Sequence, residues 1–425
     1  MTPAGGQPLR APSRLWPFKA RDDIVTIVDL GAQKIACAIA SLAVPRFGLD
    51  TGAKNIRVLG CSAVRSSGFA VGRIVNIAAA ETSVRRAVAQ AEAQAGLTVE
   101  DAIVTAQFAG LGTQIFEAKP ANGQTAIMKE DAGAISAAAE EQCRVAQRKL
   151  LHMFTASGNG TGDHSSVAGT SAEEVDVIAI SMPLRGARQI AACFAKSLLT
   201  VRGYIAGPVA AALAVTNALE RMAGVLVIDL GAQCTGYALF AGGVPLAVEC
   251  AGRGGQEITD SIARSFSLRR FEAERLKTRH GSIYDGLQAD IDLPVSNGET
   301  GEPVSKFSLN HIIQSNALAV FNAINERLKC GGYSVPPGGI VLTGGGSALP
   351  GVRELAAHVF ASEVRTGKPA ELNGLSAGNA LAGLVGGCLY ASRHRSGGEM
   401  PHAPGFASQG SSYASRIGQW LRASF

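Results

Sequence analysis

The chain has 425 residues, of which 47% are hydrophobic and 17% charged, and it contains 51 glycines. This length and composition predict a globular α/β protein of two or more domains and exclude a disordered or fibrous chain. The net charge of +5 comes from 39 Lys and Arg against 34 Asp and Glu, and it is too small and too scattered to indicate nucleic-acid binding.

The cysteines and the start of the chain indicate the compartment. The eight cysteines are isolated, without a Cys-x-x-Cys pair or a clustered histidine, so we expect reduced thiols in the cytoplasm rather than a zinc site or a disulfide framework. Residues 1–22 carry basic side chains but no apolar core of signal-peptide length, and they are predicted to form a flexible arm. No run of about 18 uncharged apolar residues occurs, so a membrane-spanning helix is not expected.

The first half of the chain begins with strand patterns and then a helix pattern. Strands are predicted at 23–29, 34–43 and 56–62, followed by a helix at 78–95 that ends at Gly96. From Asp101 the pattern changes to a strand at 102–106, a bend at 110–112, a helix near 131–148 and a strand at 150–154. We interpret residues 101–181 as an inserted subdomain, in which 157–171, rich in Gly, Ser and Thr, form a loop.

Alternating strand and helix patterns then continue as far as residue 391. The predicted order is a strand at 175–181, a helix at 187–199, a strand at 201–206, a helix at 208–221, a strand at 224–229, a hairpin at 238–250, helices at 256–265, 271–279 and 310–328, a strand at 339–343 and a small-residue helix at 376–391. Residues 392–410 are polar and of low complexity, which predicts a disordered linker.

The pentapeptide Asp-Leu-Gly-Ala-Gln occurs twice, at 29–33 and at 229–233, each time at the end of an apolar β-branched run. Each copy is predicted to be a buried strand followed by a glycine turn with exposed backbone amides. Amides in such a turn can hold phosphate, and a strand-end Asp can hold a hydrated divalent cation. One copy alone would also suit an ordinary strand and turn, but the matched pair favours two loops that grip one nucleotide from opposite sides.

A third glycine motif follows the strand predicted at 339–343. Gly344, Gly345 and Gly346 precede Ser347 in a loop that leads into a helix. Consecutive glycines permit close approach of the backbone to a flat ligand such as an adenine base. Alone this motif is not specific, because many turns are rich in glycine.

The last residues of the chain carry an amphipathic pattern. One stripe of the helix predicted at 411–425 consists of Tyr413, Ile417, Trp420, Leu421 and Phe425, with Arg416 and Arg422 at its sides. This pattern indicates a helix that lies in a membrane interface, where Trp and Phe suit the headgroup boundary and Arg suits anionic lipid. The stripe would also suit a core helix, but the linker before it favours the membrane.

With these motifs in this order, residues 24–390 and 411–425 resemble the actin-like ATPases and, among them, the FtsA family of bacterial cell-division proteins. The most family-like stretches are 72–76, 273–281, 339–351 and 417–422. The resemblance implies an α/β, actin-like (ribonuclease H-like, duplicated) ATPase fold with an inserted family-specific subdomain. It implies the subdomains 1A (23–100 and 182–223), 1C (101–181), 2A (224–258 and 331–391) and 2B (259–330).

Carried over position by position, the resemblance implies a site for ATP and Mg²⁺. The first phosphate loop would contain Asp29, Gly31, Ala32, Gln33 and Lys34, and the second would contain Asp229, Gly231, Ala232 and Thr235. Asp29 and Asp229 would bind the magnesium through water. Glu274 and Lys277 would lie near the nucleoside, and Gly344, Gly345, Gly346 and Ser347 near the adenosine. Without the resemblance, Glu274 and Lys277 suit a surface pair on a helix equally well.

Two positions depart from the family pattern. In the second loop, Ala232, Gln233 and Cys234 replace the usual glycines, which would alter the approach of phosphate. In related filaments a helix begins with Glu-Pro, and its Glu positions the attacking water, whereas this chain has Gly207 before Pro208. We therefore expect hydrolysis to be slow or absent, with ATP acting as a conformational ligand.

The resemblance implies a protein that polymerises and tethers the tubulin-like division protein FtsZ to the cytoplasmic face of the inner membrane at the division septum. The C-terminal peptide of FtsZ would dock around 260–330, and later division proteins and anionic lipids would be further partners. Three alternatives share the fold. A type IV pilus assembly ATPase would not need the linker and terminal helix, a small-molecule kinase would need a carboxylate base, and a DnaK-type chaperone would need a substrate domain after residue 390.

Overall fold

The computed structural model describes residues 24–42, 52–118, 129–157, 175–283, 292–294 and 303–393. The predicted N-terminal arm, nearly all of the predicted linker and the predicted terminal helix with its membrane-binding residues lie outside these ranges. Most of the loop predicted at 157–171 lies outside them as well.

The described elements follow the chain in this order. The strands are β1 (Ile24–Leu30), β2 (Lys34–Leu42), β3 (Ile56–Arg65), β4 (Phe69–Ala70), β5 (Arg73–Ile74), β6 (Asp101–Ala106), β7 (Gly112–Ala118), β8 (Arg148–Ser157), β9 (Val175–Pro183), β10 (Thr200–Ala206), β11 (Val225–Leu230), β12 (Thr235–Ala241), β13 (Val244–Ala251), β14 (Asp292–Leu293), β15 (Val304–Ser305), β16 (Ile340–Thr343) and β17 (Val364–Thr366). The helices are α1 (Ile77–Ala95), α2 (Lys129–Val145), α3 (Leu184–Lys196), α4 (Gly207–Val215), α5 (Ala218–Ala223), α6 (Gly255–Ser265), α7 (Arg270–His280), α8 (Lys306–Cys330), α9 (Val352–Phe360) and α10 (Ala382–Arg393).

Two five-stranded sheets with the same strand order organise the molecule. The first sheet runs β10-β6-β1-β2-β3 and the second runs β17-β16-β11-β12-β13. In each sheet, the strand that carries the repeated Asp pairs antiparallel with the strand that follows it and parallel with the strand on its other side. The two pentapeptides therefore occupy equivalent positions in two copies of one structural unit.

The first sheet is covered on both faces, which explains its nearly continuous apolar strands. All residues of β2 after Lys34 are buried. Helix α1 packs on one face, where Gly60 of β3 approaches the backbone of Ala91. Helix α10 packs on the other face, where Gly387 approaches Ile27 of β1.

Helix α1 confirms the sequence prediction for this segment. The side chain of Asn76 accepts a hydrogen bond from the amide of Ala79 and caps the first turn. The helix ends at Gly96, which takes the left-handed conformation with φ of 68°.

The single helix predicted at 208–221 is wrong, because the structure contains two helices there. Helix α4 ends at Val215, and Thr216 is extended with φ of −129° and ψ of 150°. Asn217 then starts α5 with a capping box, in which its side chain and that of Glu220 each bond the backbone of the other residue. An Asn side chain competes with helical hydrogen bonding and favours such a start.

A separate three-stranded sheet, in the order β7-β9-β8, forms the inserted unit together with α2. It has a small apolar core of its own, which includes Ile135, Ala139 and Met153. The strand that begins at Asp101 does not belong to this unit, although it was predicted there. It lies in the first sheet because its residues Ile103 to Ala106 pair with β1.

Helices α4 and α10 cross where neither has a large side chain. A Cβ on Gly386 would lie 2.8 Å from the Cα of Ala210 and closer still to its carbonyl group. This crossing places α10 against β1 near Asp29, since a Cβ on Gly383 would lie 2.8 Å from the Asp29 Oδ1. Small residues in α10 therefore determine how closely the helix approaches the strand end.

Replacing Gly386 by Ala is expected to lower the free energy of unfolding by about 2 kcal/mol. The added methyl group forces the helices apart, which costs up to roughly 3 kcal/mol and outweighs a gain of roughly 1 kcal/mol in helix propensity. Urea unfolding followed by circular dichroism measures the change. Gly378→Ala is the matched control, since no atom lies within 4 Å of its Cβ position and its φ is −78°. Equal stability of the two variants would contradict the proposed packing.

Candidate functional site

The two repeated aspartates lie near each other where the two halves of the molecule meet. Burial raises the pKa of Asp29, and burial together with the nearby Asp29 raises the pKa of Asp229 to about 7. Burial lowers the pKa of Lys34, while both carboxylates oppose this shift. One lysine thus faces two carboxylates, which leaves an excess of negative charge that a divalent cation would neutralise.

Two polar side chains from the same strand end hold these carboxylates. The hydroxyl of Thr105, near the end of β6, donates to Asp29 Oδ1 at 2.8 Å. The side-chain amide of Gln107, just after β6, donates to Asp229 Oδ2. Gln107 therefore joins the first half of the molecule to the second. Neither residue was predicted from the sequence, because the partner of each is distant along the chain.

Each pentapeptide was predicted to form a glycine turn at the end of a buried strand, and Gly31 and Gly231 lie in the turns of two β-hairpins. Neither residue adopts a positive φ. A Cβ on Gly31 would lie 2.6 Å from the Lys34 carbonyl oxygen, and a Cβ on Gly231 would collide with that of Cys234. The side chain is excluded because the hairpin backbone folds tightly on itself.

The second loop packs against the start of α6. The amide of Gly255 donates to the Gly231 carbonyl at 3.0 Å, and that of Gln256 donates to the Ala232 carbonyl at 2.6 Å. The hydroxyl of Thr235 donates to the Arg253 carbonyl at 2.9 Å. These bonds satisfy the first amides of the helix and fix the loop in one position.

Glu274 and Lys277 form more than a surface pair. The Lys277 ammonium lies 2.7 Å from Glu274 Oε2, and its side chain is only 14% exposed. It also donates to the Gly255 carbonyl at 2.8 Å and to the Thr259 hydroxyl at 2.7 Å. The pair thus joins α7 to α6 next to the second loop.

The glycine triplet closes onto the same loop. Gly344 has φ of 82°, and a Cβ there would collide with Asp229 Oδ1. The Ser347 hydroxyl donates to the Gly344 carbonyl at 2.7 Å and accepts from the Asn379 amide at 3.0 Å. A Cβ on Gly346 would lie 2.8 Å from the Leu230 Cβ. The triplet therefore lies beside Asp229.

The glutamines of the two pentapeptides lie in different surroundings. Gln33 is exposed, and its backbone carbonyl accepts a hydrogen bond from the Ser66 backbone amide at 3.0 Å. The Gln233 side-chain oxygen accepts from the Val71 amide at 2.6 Å, which adds a second polar contact between the halves. Gln233 thus does more than replace a small residue in the second loop.

The start of α4 has no side chain that could orient water. A Cβ on Gly207 would lie 2.8 Å from both the Ala106 carbonyl carbon and the Gln107 Cγ, so the backbone leaves no space for a larger residue. Pro208 follows in the first turn. The Gln107 side chain, which carries an amide, lies next to Gly207.

The described part of the chain holds neither a dense metal-ligand cluster nor a membrane span. Among those residues, no three of His, Cys, Asp and Glu lie together as ligands for one ion. Within the same ranges, every helix is too short or too polar to cross a bilayer.

Two five-stranded sheets with the same strand order, a loop repeated in each, and an inserted unit define an actin-like ATPase fold. The PilM-PilN type IV pilus biogenesis complex aligns with a TM-score of 0.59 at 17% identity, over 86% of this chain and 97% of that chain. A crystal structure of MreB5 of Spiroplasma citri bound to ADP aligns with a TM-score of 0.48 at 14% identity, over 88% and 97%.

Sequence similarity extends over nearly the whole chain. The cell division protein FtsA of Rhizobium meliloti (strain 1021) is 30% identical over 97% of this chain and 97% of its own length. FtsA of Pseudomonas aeruginosa is 24% identical over 94% and 97%. A sequence model of the family described as "Cell division protein FtsA" matches residues 226–386. The chain belongs to the FtsA family of cell-division proteins.

Ionisation of Asp229 is expected to destabilise the ligand-free protein. Its pKa is about 7 in the folded state against 3.8 as the ordinary value. The stabilising contribution is therefore full below about pH 4 and lost as the pH rises through about 7. Asp229→Asn should be about 2 kcal/mol more stable than the wild type at about pH 8, and its stability should vary less with pH.

Urea unfolding between about pH 4 and about pH 8 tests this expectation. Asp292→Asn is the matched control, because it makes the same change at an exposed position in β14. A lower stability of Asp229→Asn than of wild type at the higher pH would contradict the electrostatic account.

Proposed function

We propose that this FtsA-family chain binds ATP with Mg²⁺ between its two halves, polymerises, and anchors FtsZ to the membrane at the division septum. The observation that carries the proposal is the meeting of Asp29, Asp229 and Lys34 at the ends of two equivalent hairpins. Duplicated loops that face each other suit a nucleotide whose phosphates are held from both sides.

The residues present fit a magnesium ion. Mg²⁺ in nucleotide sites is usually held by one or two carboxylates, waters and phosphate oxygens rather than by a cage of protein ligands. Asp29 and Asp229 are two such carboxylates, and burial disfavours their charged forms until a cation arrives. When bound, the metal would neutralise charge on the phosphates, and the two aspartates would hold it through water.

The remaining proposed site residues surround this centre. The backbone at Gly31, Ala32, Gln33 and Lys34 would hold phosphate on one side, and that at Gly231, Ala232 and Thr235 on the other. Glu274 and Lys277 would contact the nucleoside, with support from their bonds to α6 beside the second loop. Gly344, Gly345, Gly346 and Ser347 would contact the adenosine, and their position beside Asp229 and Leu230 supports that role.

Hydrolysis is proposed to be slow at most. The start of α4 offers Gly207 where a water-orienting carboxylate would be needed, and its surroundings exclude a longer side chain. Bound ATP would then change how the two halves pack, without its hydrolysis supplying the free energy.

The proposed role in division requires surfaces that bind other division proteins and the membrane. The C-terminal peptide of FtsZ would dock on subdomain 2B, residues 259–330, where Phe271 and Phe307 are large exposed apolar side chains. Later division proteins would meet the inserted unit. One short amphipathic helix binds a membrane weakly, so filaments would supply the several copies needed for stable attachment.

FtsA-family membership over nearly the full length favours this role over the alternatives. The likeness to the pilus complex is at 17% identity and reaches the fold alone. A small-molecule kinase of the same fold would need a carboxylate base near the phosphates beyond the two aspartates assigned to the metal.

Co-sedimentation with anionic liposomes and MgATP tests the anchoring role. FtsZ should pellet with the full chain and stay in solution with a version that ends at Gly410, because that version lacks the amphipathic helix. The full-length variant Trp420→Asp should fail in the same way, which controls for chain length. If FtsZ stays in solution even with the full chain, the pilus-assembly alternative gains.

A further inference from the structure

The duplicated sheets place a threonine beside each repeated aspartate. In the parallel pair of β1 and β6, Asp29 is in register with Thr105. In the equivalent pair of β11 and β16, Asp229 is in register with Thr343. Residues in register on neighbouring parallel strands project to the same face of the sheet, so each hydroxyl lies next to its carboxylate.

Only the first of these pairs is hydrogen-bonded. Thr105 donates to Asp29 Oδ1 at 2.8 Å. The hydroxyl of Thr343 is fully buried and has no hydrogen-bond partner among the described residues. The same structural unit thus makes its internal bond in one copy and leaves it unmade in the other.

The reason lies in the position of the Asp229 carboxylate. Its Oδ2 accepts from the Gln107 amide, which comes from the other half of the molecule. Its Oδ1 lies over Gly344, at a place that any side chain at 344 would occupy. Gln107 therefore holds Asp229 away from the arrangement that Asp29 has.

We propose that Asp229 has two positions and that Thr343 is the positioning residue for the second. In the first position Asp229 is bound to Gln107, as in the structure. When the metal and nucleotide enter between the halves, Asp229 leaves Gln107 and accepts the Thr343 hydroxyl, which restores the symmetry with Thr105 and Asp29. This inference rests on the proposed nucleotide site and adds a residue that aims one of its carboxylates.

An unpaired buried hydroxyl costs free energy, so it persists only where the rest of the structure requires it. In the resting state the Thr343 hydroxyl has no bond to Asp229, while the bond from Gln107 to Asp229 joins the two halves. The ligand-bound state repays the loss, because the hydroxyl then gains a charged acceptor. The exchange makes Gln107 a contact of the resting state and Thr343 a contact of the bound state.

Calorimetric titration with ATP, in MgCl₂ and separately in excess EDTA, tests the inference. Thr343→Val, which has nearly the same shape, should bind MgATP about tenfold more weakly than wild type, as expected for a lost bond to a charged group. Thr343→Ser should bind like wild type. In EDTA the wild type and Thr343→Val should bind ATP equally, since Asp229 then has no metal to hold.

Urea unfolding without ligand gives a second readout. Thr343→Val should be at least as stable as wild type, because its hydroxyl has no partner to lose. The matched variant Thr105→Val should be less stable, because it breaks the bond to Asp29.

Several results would overturn the inference. Unchanged MgATP affinity in Thr343→Val, or failure of Thr343→Ser to restore it, would leave the nucleotide site standing without this role. A loss of ligand-free stability in Thr343→Val as large as that in Thr105→Val would mean that the hydroxyl is already bonded at rest. If the wild type binds no ATP at all, the proposed function fails, and the inference fails with it.

Discussion

Two carboxylates of like charge, Asp29 and Asp229, are held close together at the junction of the two halves. The fold brings them there because each terminates a central strand of one copy of a duplicated sheet. Burial raises the pKa values of both carboxyls, and the charge of Asp29 raises that of Asp229 further, while one lysine cannot balance both. Such an arrangement costs stability, and the cost is best explained by a cationic ligand that relieves it. Two side chains donate hydrogen bonds to the pair, and two glycines let the backbone approach it: Thr105, Gln107, Gly344 and Gly383.

The two halves can meet at the aspartates because glycines let the backbone approach neighbouring elements closely. Gly383 and Gly386 let α10 lie against both Asp29 and α4, and Gly344 lets the third glycine loop lie over Asp229. The helix that contacts the first aspartate is also the last described element before the segment predicted to reach the membrane. A change at the proposed nucleotide site would thus act on the helix that precedes the proposed membrane anchor. Nucleotide binding and membrane attachment would be coupled in this way.

Most of the fold could be predicted from the sequence, because its strands and helices have strong local patterns. The repeated pentapeptide identified the duplication, and Asn76 and Gly96 lie at the two ends of α1. Strand β7 was missed because its polar and apolar residues give no continuous run, and β17 because it has only three residues. In the site, Gln107 and Thr343 were missed because their importance depends on partners distant in sequence, which no local pattern reveals. Contacts within each hairpin, with the carbonyl oxygens of Lys34 and Cys234, determine why residues 31 and 231 are glycines.

We propose that one metal-bound nucleotide lies between the two strand-end carboxylates. A crystal structure of the protein with Mg²⁺ and a non-hydrolysable ATP analogue tests it most directly. We expect phosphates between the loops at 31–34 and 231–235, a hydrated metal facing Asp29 and Asp229, and Asp229 released from Gln107. A nucleotide bound elsewhere, or phosphates bound there while the metal contacts neither aspartate, would contradict it.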